Sequence, residues 1–292
     1  MAFRLKNGKA IGAQLARIVN DELRAALDAV AQASTGGASI HETRKHIKKI
    51  RSVLHLLRKE LGDDYAPLND RIRFAARQLS AVRDADVLVA TLETLHRRHG
   101  RLLGPDVYKT AGAALERRRH QAYARFGPRR LSVVKQRLVR SRRVLPEQIR
   151  AVASGRTMRA GVERGYRRAR KAMEEATAGR PEDVRFHTWR RRVKDHWYQL
   201  RLVEGANGRA HRRVLQLAQL QDWLGDDHNL VVLRSVILAA PDRFGDKRAV
   251  AVILGCIDEH QDALRRRAVR RGRQLFAKKP ASFNKQISRW LP

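Results

Sequence analysis

The chain has 292 residues, and its 63 lysine and arginine residues against 29 aspartate and glutamate give a formal net charge of +34. Such a charge attracts polyanions, so the expected partners are nucleic acid, a phosphate polymer or an anionic membrane, and small neutral ligands are disfavoured. Hydrophobic residues make up 43% of the chain, which is enough to build a core and excludes a disordered basic tail.

The cysteine content and the lengths of the apolar runs indicate the cellular compartment. Cys256 is the only cysteine, which excludes an intramolecular disulfide framework and a thiolate zinc cluster within one chain. The N-terminus lacks the apolar segment of a signal peptide, and the longest apolar run near the C-terminus, Ala249–Ile257, is too short to span a bilayer. We therefore expect a cytoplasmic protein without a membrane partner.

Apolar residues recur at helical spacing along the chain, which predicts an all-α fold. The predicted helices are, in order, Ala10–Ala33, Ile40–Leu61, Leu68–Val82, a segment from about Arg83 to before Gly100, Gly104–Phe126, Arg129–Val144 closed by Pro146, Gly155–Ala178, Phe186–Val203 and Asp246–Gln274. The only strand-like run, Leu230–Leu238, stands where the first half of the chain is predicted helical.

The predicted helix Ile40–Leu61 carries two parallel rows of side chains. One is apolar and faces the core: Ile47, Ile50, Leu54, Leu57 and Leu61. The other is cationic and lies about 100° round the helix, at His41, Arg44, Lys48, Arg51, His55 and Arg58. Because it flanks the core instead of pointing away from it, this row is expected to line the wall of a groove.

A second helix repeats this pattern. In Phe186–Val203 the residues Phe186, Trp189 and Val193 fall on the apolar side, while the basic side holds His187, Arg190, Lys194 and Arg201. Each basic helix is followed about 40 residues later by an acidic segment, Arg83-Asp84-Ala85-Asp86-Val87 in one half and Gly225-Asp226-Asp227-His228-Asn229 in the other. The chain is therefore expected to be one domain, residues 1–292, built from two repeats of about 9–145 and 155–290.

These paired motifs, His41-x-x-Arg44-Lys45-x-x-Lys48 and His187-x-x-Arg190-Arg191-x-x-Lys194 with their acidic segments, resemble the CHAD family, the conserved-histidine α-helical domain. The resemblance implies two four-helix-bundle-like repeats related by a pseudo-two-fold axis around a basic groove or pore. It also implies non-enzymatic binding of inorganic polyphosphate and association with polyphosphate granules. We expect no cofactor and no metal site of the protein's own, and whether Mg²⁺ accompanies the bound phosphate is open. The expected polyphosphate-binding residues are His41, Arg44, Lys45, Lys48, Lys49, Arg51, His55, Arg77, Arg83, His187, Arg190, Arg191, Lys194 and Arg201.

Other interpretations of the motifs are open at this point. The acidic segments could hold a divalent metal, but capping of helix starts and holding of arginines are favoured. The aromatic residues of the second half, Trp189, Trp197, Tyr198 and Trp223, could stack on bases, but packing is favoured. Sequence-independent nucleic-acid binding is therefore the alternative function, and a phosphatase is the least favoured. Arg265 and Arg266, in the last long helix, are expected to contribute only diffuse charge.

Overall fold

The structure is a computed structural model that describes residues 3–6, 10–32, 37–204 and 208–290. Within these residues it contains helices and turns and no strand, which confirms the all-α prediction. The helices are α1 (Ile11–Ala31), α2 (Gly37–Leu56), α3 (Tyr65–Gln78), α4 (Ser80–Ala124), α5 (Pro128–Val152), α6 (Gly155–Thr177), α7 (Asp183–Val203), α8 (Gly208–Ala239), α9 (Lys247–Leu275) and α10 (Pro280–Ile287). No described helix is both long enough and apolar enough to cross a membrane.

The predicted end of α5 at Pro146 is wrong, because the helix continues to Val152. Proline removes one backbone hydrogen bond from a helix interior. The buried stripe of α5, however, extends on both sides of the proline and packs against α1, through Val134, Leu138, Leu145 and Ile149. Breaking the helix would expose the last of these residues, so tertiary packing outweighs the local cost.

The predicted helix start at Arg83 is also wrong. The helical geometry is interrupted at Leu79, where φ is −94° and ψ is 1°, and α4 begins at Ser80. The Arg44 guanidinium of α2 donates to the carbonyl of Ala76, at 2.6 Å, and to Ser80 Oγ, at 3.0 Å. The same carbonyl also accepts from the Leu79 backbone N–H at 3.3 Å and from Ser80 Oγ at 3.2 Å, so Arg44 adds to a cap that local groups already form. A side chain more than 30 residues away in sequence thus contributes to the break.

α4 consists of two limbs, residues 80–98 and 105–124, joined by a non-helical stretch. His99 departs from helical geometry, and Gly104 has a φ of +63°, which glycine adopts without the steric cost of a side chain. The limbs fold back on one another, because the Tyr123 hydroxyl of the second limb donates to Asp86 of the first, at 3.0 Å. The two separately predicted segments are thus helical, as expected, and lie side by side.

The helix pairs follow the same order in both halves. α1 packs on α2 and α2 on α3, while α6 packs on α7 and α7 on α8. The buried core forms two clusters, and both clusters draw residues from both halves of the chain. In the smaller one, Leu88 and Leu92 of α4 join Leu230 of α8 and Ile253 of α9. The pseudo-two-fold relation and the repeat boundaries stay predictions.

Candidate functional site

The two predicted basic helices contact each other, since α2 packs directly on α7. Near the end of α2, His55 Nδ1 lies 3.0 Å from a carboxylate oxygen of Asp195 in α7, with both side chains largely buried. Arg51, one turn earlier, donates through Nε to Asn69 Oδ1 at 3.1 Å. Burial lowers the pKa of Arg51, and the charge of Asp195 opposes this shift. The His55–Asp195 pair therefore joins α2 to α7 at one end of the interface, whereas the Arg51–Asn69 hydrogen bond joins α2 to α3.

At the other end, cationic side chains from three helices converge. We call Arg44 and Lys48 of α2, Arg83 of α4, and Arg190 and Lys194 of α7 the cation cluster. Burial, together with the charges of Lys194, Arg44, Arg83 and Arg190, lowers the pKa of Lys48 to about 6. Burial and the charges of Arg190 and Arg83 lower the pKa of Lys194 to about 8. Each half of the chain thus acts directly on the cations of the other.

Three members of the cation cluster form no ion pair among the described residues, although Asp226 and Asp227 act on the charge of Arg190 and Asp222 on that of Lys194. Within the part of the chain that the structure describes, no carboxylate oxygen lies within 4 Å of the charged nitrogens of Lys48, Arg190 or Lys194. The buried Nε atoms of Arg44, Arg83 and Arg190 likewise have no hydrogen-bond partner there. The charged form of an unpaired basic group at a half-buried position carries a desolvation cost, which lowers the pKa of Lys48 and Lys194 and which a bound anion would offset.

Three histidines border the cation cluster. Burial and the charges of Lys48 and Arg83 lower the pKa of His41, and burial and Arg190 lower that of His187. His187 and His228 of α8 lie Nδ1 to Nδ1 at 3.1 Å, so one ring donates to the other. Burial, Arg190 and His187 lower the pKa of His228 to about 4. Burial and the neighbouring cations therefore keep His228 neutral at pH 7 when no ligand is bound.

Not every predicted site residue lies at the cation cluster. Lys49 points to a different face of α2 from the cation cluster, where its Nζ is buried 2.8 Å from Glu22 of α1, so its predicted role in binding is wrong. Lys49 stands about 80° round the helix from His41, and α1 covers that face. The described contacts of Arg77 are with the Phe74 ring, and those of Arg201 with the Trp197, Phe3 and Tyr198 rings. Neither arginine contacts the cluster.

Lys45 and Arg191 occupy intermediate positions. Both are exposed. Lys45 pairs with Glu42 on its own helix at 3.3 Å. Its charge also lowers the pKa of His41, but less than burial and the charges of Lys48 and Arg83 do. Arg191 acts in the same way on His187. They lie at the rim, where they add to the field without entering the cluster.

A cavity of about 650 Å³ opens beside His41 and Arg83. Its far wall is the second limb of α4, with Arg119, His120 and Tyr123. The sequence shows a basic run at Glu116–His120, but nothing in the run indicates that α4 folds back to bring it to His41. These residues extend the cationic surface, although Arg119 is partly neutralised by Glu116, at 2.9 Å.

The acidic segments are interior parts of helices, so their predicted role as helix caps is wrong. Asp84 and Asp86 lie in the second turn of α4, and Asp226 and Asp227 lie in the middle of α8. Their second predicted role, holding arginines, is confirmed at two positions. Asp84 accepts from Arg83 at 2.9 Å, and buried Asp227 accepts from Arg265 at 2.6 Å.

Arg265 therefore has a structural role, and the expectation that it contributes only diffuse charge is wrong. Besides Asp227, its guanidinium pairs with Asp183 at the start of α7. It lies over the Phe186 ring, at 4.5 Å. By contrast, its neighbours Arg266 and Arg267 are exposed. The aromatic residues behave as predicted for packing, since Trp189 is fully buried and Tyr198 is nearly so.

The fold and the contact between α2 and α7 define a class of all-helical protein in which basic side chains from both halves of the chain converge. The chain belongs to the CHAD family, because the family model described as CHAD domain matches residues 14–238. A crystal structure of the CHAD domain from the plant Ricinus communis is similar, with a TM-score of 0.71, 20% identity and 96% of each chain covered. PptA from Streptomyces chartreusis gives a TM-score of 0.65 at 15% identity, over 92% of this chain and 100% of that one. A search of curated proteins finds no match.

Proposed function

We propose that this protein binds inorganic polyphosphate, without chemical turnover, in the cleft between α2 and α7. The observation that carries the proposal is the cation cluster, whose members Lys48, Arg190 and Lys194 lack carboxylate partners among the described residues. Arginine can engage two phosphate oxygens at once and lysine acts as a compact charge, so the mixture suits a chain of identical phosphates. Membership of the CHAD family supports the same ligand.

The depth of these cations favours a thin, flexible polyanion. Lys48, Arg190 and Lys194 are neither fully buried nor exposed, and they stand where α2 meets α7. The phosphates of a rigid duplex lie on the surface of a wide cylinder and would reach the exposed rim first. A polyphosphate chain can enter between helices and replace the water around half-buried charges, where electrostatic interactions are least screened.

Three acidic side chains near the cleft are engaged within the protein, which supports a binding role, whereas Asp226 acts on Arg190 only through its charge. Asp227 is held by Arg265 and Gln261, Asp84 by Arg83, and Asp86 by Tyr123. Proteins that move phosphoryl groups with metal ions commonly present several carboxylates to the substrate. Here the surface presented to an anion is cationic, and we infer that the protein concentrates on polyphosphate granules by binding them.

Sequence-independent nucleic-acid binding is the alternative, carried by the net charge of +34. Proteins that bind single strands usually add stacking platforms to their charge. In this chain Trp189 is fully buried against Phe186, and Trp197 is covered by the Arg201 guanidinium at 5.0 Å. These two tryptophans thus offer little surface to bases, which favours polyphosphate.

The test is a competition experiment with the purified protein. Long-chain polyphosphate, duplex DNA and single-stranded DNA compete at equal phosphate concentration in about 0.15 M salt, where charges beyond roughly 8 Å are screened. We expect polyphosphate to displace both nucleic acids at least tenfold more effectively. Equal displacement by DNA would favour the alternative, and a salt-independent affinity would contradict the electrostatic basis of both functions.

A further inference from the structure

A second surface, separate from the cation cluster, lies between α4 and α8. Two adjoining cavities of about 690 and 440 Å³ share four lining residues, Arg118, Gln121, Val232 and Val236, and therefore form one continuous trough. We call it the α4–α8 trough. Its floor is apolar and made mostly of small side chains, including Ala85, Ala114 and Ala239. Nothing in the proposed polyphosphate site uses this floor.

The rim of the trough is basic on several sides, and the acidic residue among its described lining, Asp84, is paired with Arg83. Arg117 and Arg118 stand on the second limb of α4, Arg125 follows that limb, Arg130 belongs to α5, and Arg243 lies after α8. All five arginines are exposed, and none of them forms an ion pair with a carboxylate in the described residues. This differs from Arg119, which pairs with Glu116 one turn away. The rim charges are thus free to meet an external partner.

We propose that the α4–α8 trough binds an acidic amphipathic helix of a partner protein. The lining residues Ala114, Gln121 and Arg125 span 11 positions of helix, or about 16 Å at 1.5 Å per residue. A partner helix of about three turns would fit this length. Its apolar stripe would cover Val232 and Val236, and glutamate or aspartate on both flanks would reach the rim arginines.

The distribution of charge selects this occupant over others. A fatty acid or a lipid has one anionic head and would leave most of five separated arginines unmatched. Polyphosphate has no apolar surface with which to cover the floor. A helix that carries acidic residues on both sides of an apolar stripe matches the floor and the rim together, and charge complementarity of this kind fixes the register of a partner.

The experiment uses the full chain and a fluorescent 15-residue peptide that has leucines at 3-4 spacing and glutamates on both flanks. We expect the peptide to bind by anisotropy with micromolar affinity, and a scrambled peptide of the same composition to bind at least tenfold more weakly. Ser235→Trp, at an exposed position in the lining, would fill the trough and weaken the peptide at least tenfold, while polyphosphate affinity changes less than twofold.

Charge reversal separates the rim from net charge. Arg117→Glu with Arg118→Glu changes the charge by the same amount as Arg266→Glu with Arg267→Glu on the exposed face of α9. We expect the first pair to weaken the peptide tenfold or more and the second less than threefold. Equal binding of the scrambled peptide, equal effects of the two pairs, or tight binding by Ser235→Trp would overturn the proposal. None of these results depends on whether polyphosphate binds the cleft.

Discussion

Lys48 shows how one side chain can be costly to the fold and useful to binding. It is flanked by Arg44 on its own helix and faces Lys194 and Arg190 from α7, and its pKa falls from 10.5 to about 6. A neighbouring polyanion would favour the charged form and move this pKa back up. The same residue therefore links ligand binding to proton uptake.

Polyphosphate binding should take up roughly one proton per chain at pH 7, because Lys48 is mostly neutral in the free protein and charged in the complex. Lys194, whose free pKa is about 8, should add to the uptake above that pH. Affinity should rise as the pH falls from 9 to 6. Calorimetry in two buffers of different ionisation enthalpy measures the uptake, and a pH-independent affinity with no proton transfer would refute the role of Lys48.

Replacing this lysine should separate stability from binding. Between the folded pKa of about 6 and the unfolded value of 10.5, the unfolded state binds more protons, so the stability of the free protein rises with pH across that range. Lys48→Met should flatten this rise and increase the melting temperature at pH 7, by about 2–4 °C per kcal/mol of relieved desolvation. It should weaken polyphosphate at least fivefold. Loss of stability would mean that Lys48 is an ordinary packing residue.

At the scale of the element, the interface between α2 and α7 is pinned at one end and repulsive at the other. His55 pairs with Asp195 where the helices are tied together, while Arg44, Arg190 and Lys194 crowd the opposite end. Arg44 also contributes to the junction of α3 and α4 through Ala76, so its removal would disturb the fold as well as the site. Lys48, Arg190 and Lys194 are the sharper targets.

Substitutions on the two helices should be interdependent. Charged hydrogen bonds contribute about 1.5–3 kcal/mol each, so Lys48→Gln in α2, or Arg190→Gln with Lys194→Gln in α7, should weaken polyphosphate tenfold or more. The combined variant should lose most of the specific affinity, because one bound chain no longer engages both helices.

The matched control for this series is Arg266→Gln with Arg267→Gln, two exposed residues of α9. Arg265 is unsuitable because it pairs with Asp183 and buried Asp227. The control should cost less than threefold in affinity measured by titration calorimetry. A control as damaging as the α7 pair would show that net charge alone holds the ligand and that the cleft has no special role.

At the scale of the whole molecule, a formal charge of +34 opposes compaction, and the core clusters shared by both halves resist it. A polyanion that binds only the folded state relieves this repulsion. At 100 times its dissociation constant, polyphosphate should stabilise the protein by about 2.7 kcal/mol and raise the melting temperature by about 5 °C. Scanning calorimetry with and without ligand measures the shift. An unchanged melting temperature at saturation would show that binding is loose and peripheral.

The all-α class, the pair of basic helices and the histidine and arginine spacing that marks the family can all be predicted from the amino-acid sequence. These features follow from the 3.6-residue period of the helix, which the order of polar and apolar residues shows directly. The period predicts two basic faces, one with His41, Arg44 and Lys48 and one with His187 and Lys194. The structure brings the two faces together. Side chains on the same face of a helix need no tertiary information to be grouped.

Which cations meet, and where the helices break, depends on the packing of the folded chain. Lys49 follows Lys48 in sequence but pairs with Glu22 of α1, and Arg265 holds Asp227 although nothing in its local sequence distinguishes it from Arg266. The end of α3 is supported by Arg44, a side chain from another helix. The helical period fixes the direction in which a side chain points from the helix axis. The residue that this side chain contacts depends on how helices distant in sequence pack together.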